Sequence, residues 1–399
     1  MNHSKWALTV LLLLACNKIE ESDQVLTADC TGLENFAPCA VVTSPDRSND
    51  ICVDEVCESP GCGTAACNAP GHRFAVPDTN QRICYDDGTA GPITCPTSGQ
   101  EYFGQDAQYG WDTTHAANER FTLTASESGE PTVGDNITTL EWQGCTAGLS
   151  GDACTAGAAG GYNWAEALAY CDSLDWSGNT DWRLPDPYEI ASIIDLGRYN
   201  PTIDPDAFPG TPGVAFWTSS SHAGNPVNAW YAGLYGGEVS FGDKSYDCHV
   251  RCVRGGTAAE TGFSRNLAHA DQPVVTDNVT SRIWQGCASG LSGDACTTGT
   301  EATHTWLEAL AYCETLVWSE YDDWRLPDIN ELFTITDHSL VDPAVDADAF
   351  PMTPSSHFWS SSSAVELQNA AWTVNFGSGV EGGEEKNSAH HVRCVRGEP

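Results

Sequence analysis

Apolar positions in the middle of this chain step in threes and fours. Trp164, Ala167, Leu168, Cys171 and Leu174 share one face of a predicted helix. Asn163 with Glu166 supplies a capping box at its start. A second helix opens at Asp186-Pro187-Tyr188-Glu189, an N-cap acid, a first-turn proline and an acid at the third position. Ile190, Ile193 and Ile194 are its inward residues. Beyond Pro209 the period shortens, and residues 215–219, 229–234 and 249–254 read as short strands bounded by Gly, Asn and Ser. The order loop, helix, helix, strand meander is that of an α+β domain.

The same pattern returns at a constant offset of 142 residues, with 121–255 matching 263–397 without net insertion. Trp142-Gln143-Gly144-Cys145 becomes Trp284-Gln285-Gly286-Cys287, and Asp181-Trp182-Arg183-Leu184-Pro185-Asp186 becomes Asp323-Trp324-Arg325-Leu326-Pro327-Asp328. Thr305 with Glu308 repeats the first capping box. Asp328 and Glu331 repeat the second, with Leu332 and Ile335 inward, and the strands recur at 358–362, 371–376 and 391–396. A period this long means two domains rather than a solenoid, each able to build its own core.

Ahead of the repeats the composition changes. Lys5 followed by an apolar run over 6–14 reads as an export signal, too short to span a bilayer. It ends in Leu13-Leu14-Ala15-Cys16, which resembles a bacterial lipobox with Cys16 as the acylated residue. Asn17 after that cysteine points to the outer membrane. Residues 1–15 are thus read as a lipoprotein signal peptide, 16–29 as a lipidated tether, and 30–71 as a small module stapled by disulfides. That module holds Cys30, Cys39, Cys52, Cys57, Cys62 and Cys67 and few large apolar residues. Residues 72–256 form the first domain, whose N-terminal extension is expected to pack on the first copy, and 257–399 the second.

Eighteen cysteines without zinc-type spacing place the chain in an oxidising compartment of the cell envelope. Cys84 and Cys95 in the extension, and Cys145, Cys154, Cys171, Cys252, Cys287, Cys296, Cys313 and Cys394 in the repeats, are read as disulfide cysteines. Cys248 aligns with His390 and is either unpaired, bonded to another chain, or joined to the Cys-rich module. The net charge of −38 repels nucleic acid, anionic headgroups and sulfated polysaccharides unless a metal bridges them. Beyond residue 18 the only lysines are Lys244 and Lys386.

The ordered run of a helix carrying Cys, Asp-Trp-Arg-Leu-Pro-Asp-x-x-Glu, Phe-Trp-Thr/Ser-Ser-Ser, Ala-Trp and a final Val-Arg-Cys-Val-Arg-Gly is similar to the Lcl C-terminal domain family, in both copies. It resembles more loosely the C-type-lectin and formylglycine-generating-enzyme superfold. That likeness implies two tandem C-type-lectin-like domains, each of two helices and a small antiparallel sheet. It also implies long-range bridges Cys171–Cys252 and Cys313–Cys394, leaving Cys145–Cys154 and Cys287–Cys296 to close small loops.

The family likeness implies extracellular glycan recognition. Trp217, Ser219 and Trp230, with Trp359, Ser361 and Trp372, are the candidates for ring stacking and hydroxyl contacts, set against roles in the core and at a sheet edge. Asp204, Asp206, Asp346 and Asp348 could hold Ca2+ through oxygen ligands or simply shape turns. Arg183 with Glu189, and Arg325 with Glu331, read as clamps holding loop to helix. His249 and His391 are the only aligned histidines and read as structural. No catalytic motif and no cofactor signature is present. The expectation is a non-enzymatic surface lipoprotein, its partner a glycan or an envelope protein. A structural envelope protein is the first alternative and a formylglycine-generating-type enzyme the second.

Overall fold

The computed structural model describes residues 18–22, 25–29, 41–43, 76–88, 91–108, 120–256 and 262–397. The export signal, Cys16 and the cysteines of the 30–71 module lie outside them. The chain divides into two units, Met1–Asn68 and Ala69–Pro399. In the first, β1 (Lys18–Ser22), β2 (Val25–Asp29) and β3 (Val41–Thr43) form an antiparallel sheet in that order, so the stretch expected as a plain tether carries two paired strands. Among the described residues no helix is long and apolar enough to cross a membrane.

The second unit holds both repeats. The first repeat begins with three strands, β4 (Phe121–Thr124), β5 (Thr132–Asp135) and β6 (Leu140–Gln143), and a minute hairpin of β7 (Leu149–Ser150) and β8 (Ala156–Gly157). Helices α1 (Trp164–Asp172) and α2 (Pro187–Ser192) follow, then β9 (Ala215–Ser221), β10 (Asn228–Gly233), β11 (Glu238–Asp243) and β12 (Val253–Gly255). The second repeat copies this with β13 (Phe263–Asn266), β14 (Val274–Asp277), β15 (Ile283–Gln285), β16 (Leu291–Ser292), β17 (Thr298–Gly299), α3 (Trp306–Glu314) and α4 (Ile329–Thr334). It ends with β18 (His357–Ser363), β19 (Ala370–Asn375), β20 (Val380–Glu385) and β21 (Val395–Arg396).

The opening of each repeat, a loop by its residue pattern, is three strands of a four-stranded sheet. The final strand leaves the meander to complete it, in the order β12-β6-β5-β4 and its copy. Trp142 pairs with Val253, and Trp284 with Val395. The opening strands are short and half-polar, so their apolar period is weak. A further strand, β11 or β20, completes the meander on one edge.

Among the described residues, the four α-helices of the two repeats start with complete capping boxes, on Asn163, Asp186, Thr305 and Asp328. The arginines of the terminal motif hold the closing strand. Arg251 is fully buried and donates through Nη1 to Gln143 O (2.6 Å) and Gly144 O (2.8 Å), and Arg393 repeats this on Gln285 O (2.8 Å). Burial pulls both guanidinium pKa values down to about 9. Cys171–Cys252 and Cys313–Cys394 join the first helix of each repeat to its last strand region. Cys145–Cys154, Cys287–Cys296 and Cys84–Cys95 close short loops.

Two findings correct the domain picture. Each repeat has its own core around its disulfides, Trp164–Trp182–Trp217 in one and Trp306–Trp324–Trp359 in the other. A third cluster, however, takes Ile190, Ile194, Phe216 and Trp230 from the first repeat and Leu332, Phe333, Phe358 and Trp372 from the second. The second helices and the β11 and β20 edges meet across it. A six-residue helix buried on both sides presents the same inward pattern whether it faces its own sheet or its twin.

The extension, expected on the first repeat, lies mainly over the second. Asn330 donates to Pro77 O, Gln81 pairs with Ser363, and Tyr102 packs on Trp306. Leu196 N–H, donating to Thr79 O, ties it to the first repeat as well.

Against the shared cluster packs His338, buried beside Tyr188, Trp230 and Phe333, with neither ring nitrogen hydrogen-bonded. Burial, and to a lesser degree His222, pushes its pKa down to about 3. The unfolded chain therefore binds more protons from about pH 6.5 downward, and stability falls as pH drops through that window. Urea unfolding should lose about 2 kcal/mol between pH 6.5 and 4.5 through this group. His338→Leu, which installs the residue that Leu196 supplies in the first repeat, should flatten that slope. An unchanged slope would overturn the assignment.

Candidate functional site

The Asp-Trp-Arg-Leu-Pro-Asp loop is fixed by a fork of charge. Arg183 Nη1 and Nη2 donate to Glu189 Oε2 (2.6 Å) and Oε1 (2.5 Å). Arg325 holds Glu331 the same way at 2.5 and 2.6 Å, and Arg282 adds a third contact to Glu331 at 2.5 Å. Burial alone would raise the Glu331 carboxyl, but Arg325 and Arg282 hold it down at about 2. In the first repeat Leu140 occupies the place of Arg282. These glutamates are structural counter-ions.

The six residues proposed for ligand contact lie in the interior. Trp217, Ser219, Trp230, Trp359, Ser361 and Trp372 are each buried. Trp217 Nε1 donates to Tyr162 O (2.9 Å) and Trp359 Nε1 to His304 O (2.8 Å), which turns both rings into their repeat cores. Trp230 is enclosed by His222, Phe241 and His338. The alternation along β9 and β18 is real, but both faces are covered, one by the repeat's own helix and one by its twin, so a sugar ring cannot stack there.

The acid pairs shape turns. Asp204 Oδ1 accepts from the N–H groups of Asp206 (2.8 Å) and Ala207 (3.4 Å), and Asp346 Oδ1 from Asp348 (2.9 Å) and Ala349 (3.1 Å). Asp204 also lines a cleft of about 290 Å³ with Asn80, Arg82, Arg120, Asp195 and Arg198, where three guanidinium groups oppose a cation. Among the described residues no three His, Cys, Asp or Glu side chains are grouped to hold a metal ion. His249 and His391 pack on Phe216 and Phe358, and burial lowers the pKa of both. Cys248 is free and buried, its thiol raised to about 11 by burial and then by Asp247, which makes it a poor nucleophile.

A different group lies beside β9 and β18. Lys244 Nζ sits 3.9 Å from the centroid of the Trp164 ring and donates to Ser221 Oγ (2.6 Å). Lys386 Nζ sits 4.1 Å from that of Trp306 but donates to Tyr85 O (3.3 Å) and Asp86 O (3.2 Å) of the extension. Burial lowers the Lys386 pKa to about 7, with Asp86 and Asp87 opposing. Asp106 of the extension accepts from Ser362 Oγ and Thr79 Oγ1, both at 2.6 Å, and burial raises its carboxyl to about 7. The sequence signal was available: the two lysines beyond residue 18 stand one repeat apart.

A protein-family model, the Lcl C-terminal domain, matches residues 131–254 and again residues 273–396. No curated protein matches the chain.

Proposed function

Because this chain belongs to the Lcl C-terminal domain family through two tandem copies, which suggests an extracellular surface protein, we propose that it is a lipid-anchored, non-enzymatic protein of the bacterial envelope that displays the pair for adhesion. Cys16 would carry the lipid and Asn17 would direct it to the outer membrane. Glycan recognition is the ligand class the family likeness favours. The bridge from a helical cysteine to the last strand region supports the further likeness to C-type-lectin-like domains.

The observation that carries this reading is the disulfide set, laid at equivalent places in both repeats. Such a scaffold suits an oxidising exterior and spends its cysteines on structure. With the buried tryptophans set aside, a sugar would meet exposed aromatics such as the Tyr199–Tyr235 pair, whose ring centroids stand 4.7 Å apart. Acidic charge disfavours sulfated glycans. A neutral-glycan array with and without Ca2+ is expected to show binding that Tyr235→Ala weakens. Silence in both conditions would overturn the glycan reading.

A second reading, docking of envelope proteins, is favoured by one observation: the second repeat already holds a polypeptide segment on its surface. Pull-down from envelope extracts that recovers a defined partner, with the glycan array silent, would favour it.

A further inference from the structure

The contact between the repeats sets α2 against α4 and β11 against β20, so each position around it occurs twice. One corner of it carries a pair of imidazoles, one from each repeat. His222, just past β9, stacks on Phe241 with ring centroids 3.8 Å apart. His338, four residues after α4, stands 4.7 Å from Tyr188 and 4.8 Å from Phe333. Trp230 joins them, its ring 5.6 Å from His222 and 4.5 Å from His338. Both imidazoles are buried, and none of their four ring nitrogens has a hydrogen-bond partner.

The opposite corner is built differently. Ala364 stands for His222, Gly383 for Phe241, Trp372 for Trp230 and Leu196 for His338. Ala364 and Leu196 are buried as well. The fold is thus satisfied at this place by an alanine and a leucine. Two polar rings without partners cost free energy there that the apolar pair avoids, so packing does not account for them.

Among the described residues no acid compensates the rings. Tyr188 donates its hydroxyl to Thr336 O, and Asp337 Oδ1 accepts from Ser339 N–H (2.9 Å) and Oγ (2.6 Å). Glu189 and Glu331, on the two helices, are held by the clamp arginines. On β11 and β20, burial raises the carboxyls of Glu238 and Glu381, and Glu381 accepts from Val239 N–H (3.2 Å). Near His222, Asp243 turns to Ser245 and Lys244 to Ser221 Oγ. Burial lowers the pKa of both imidazoles, and His222 lowers that of His338 further. With both rings in water, the parted contact binds protons that the closed one refuses. Closure is therefore undiminished above the ordinary histidine value of about 6.5 and weakens as pH falls below it.

We propose that His222 and His338 form an acid-sensitive latch between the repeats: protonation parts this corner while each repeat keeps its own disulfide-bonded core, and uncovers the apolar surface of Trp230, Phe241 and Phe333. This goes beyond the adhesion reading and does not depend on a ligand.

Hydrogen–deuterium exchange of the full chain at pH 7.5 and pH 4.5, corrected for the intrinsic rate, tests the latch with the opposite corner as internal reference. Protection over residues 222–241 should fall about a hundredfold, the factor by which His338 alone shifts the opening across this range. Residues 364–383 and helix α1 should change by less than about tenfold. In His222→Ala/His338→Leu, which installs the pair of the opposite corner, the two segments should behave alike. Should that variant fold poorly, His338→Leu alone should cut the excess loss about tenfold. Protection that does not change, that falls equally at both corners or in α1, or that falls selectively without the histidines would refute the latch.

Discussion

Replacing Glu331 with glutamine is expected to destabilise the protein by about 3–5 kcal/mol, because it strands two buried guanidinium groups at once. Arg282 and Arg325 are both buried, and Glu331 is their shared carboxylate. The same change at Glu189 should cost clearly less. Among the described residues it faces Arg183 without a second cation, and the Arg183 side chain is 17% exposed. Arg282→Leu, the arrangement the first repeat uses, should recover part of the loss when combined with Glu331→Gln. The folded Glu331 pKa lies below the unfolded value, so its contribution is complete above the unfolded pKa and declines as pH falls toward about 2. Urea unfolding of the wild type should therefore lose stability below pH 4.5 in a limb that the variant lacks. Equal costs at the two glutamates would contradict the three-membered clamp.

Removing the Cys313–Cys394 bridge by a double change to alanine should cost about 4–5 kcal/mol, the loop-closure value for a bridge of this reach. Its partners are 81 residues apart, whereas Cys287 and Cys296 are 9 apart, and opening that smaller loop should cost about 2–3 kcal/mol. The effect should spread beyond the second repeat, because Phe333, Phe358 and Trp372 share a cluster with Ile190, Phe216 and Trp230. Calorimetry of the double variant is expected to show the two repeats melting together at a lower temperature. A first repeat that melts at its original temperature would rule out a common interior.

The features legible in the sequence were those enforced locally. An Asn, Thr or Asp three residues ahead of Glu leaves few alternatives to a capped helix, and the four caps of the described α-helices formed. The clamp arginines also met the glutamates six residues on. What escaped was set by distant partners. Phe121, Thr132 and Leu140 open strands too short to show a period, and their pairing is completed by residues at the far end of the repeat. Trp217 and Trp230 sit on a strand and its neighbour with the spacing of an exposed aromatic face, but a helix of their own repeat and the surface of the twin cover them. Alignment of the copies revealed that they are equivalent and could not reveal that they touch. The destination of the extension rests on side chains such as Gln81 and Asp106, whose partners lie more than 250 residues away.

Contact between the copies joins like to like. The second helix of one repeat meets the second helix of the other, and Val239 N–H donates to the carboxylate of Glu381, the residue at its own equivalent position. Self-matching of this kind is the signature of isologous, twofold association. A one-repeat relative carrying these residues would have to close the same surface with another molecule of itself. In the fused chain that obligatory dimer is covalent, present at any dilution, and free to let its halves diverge.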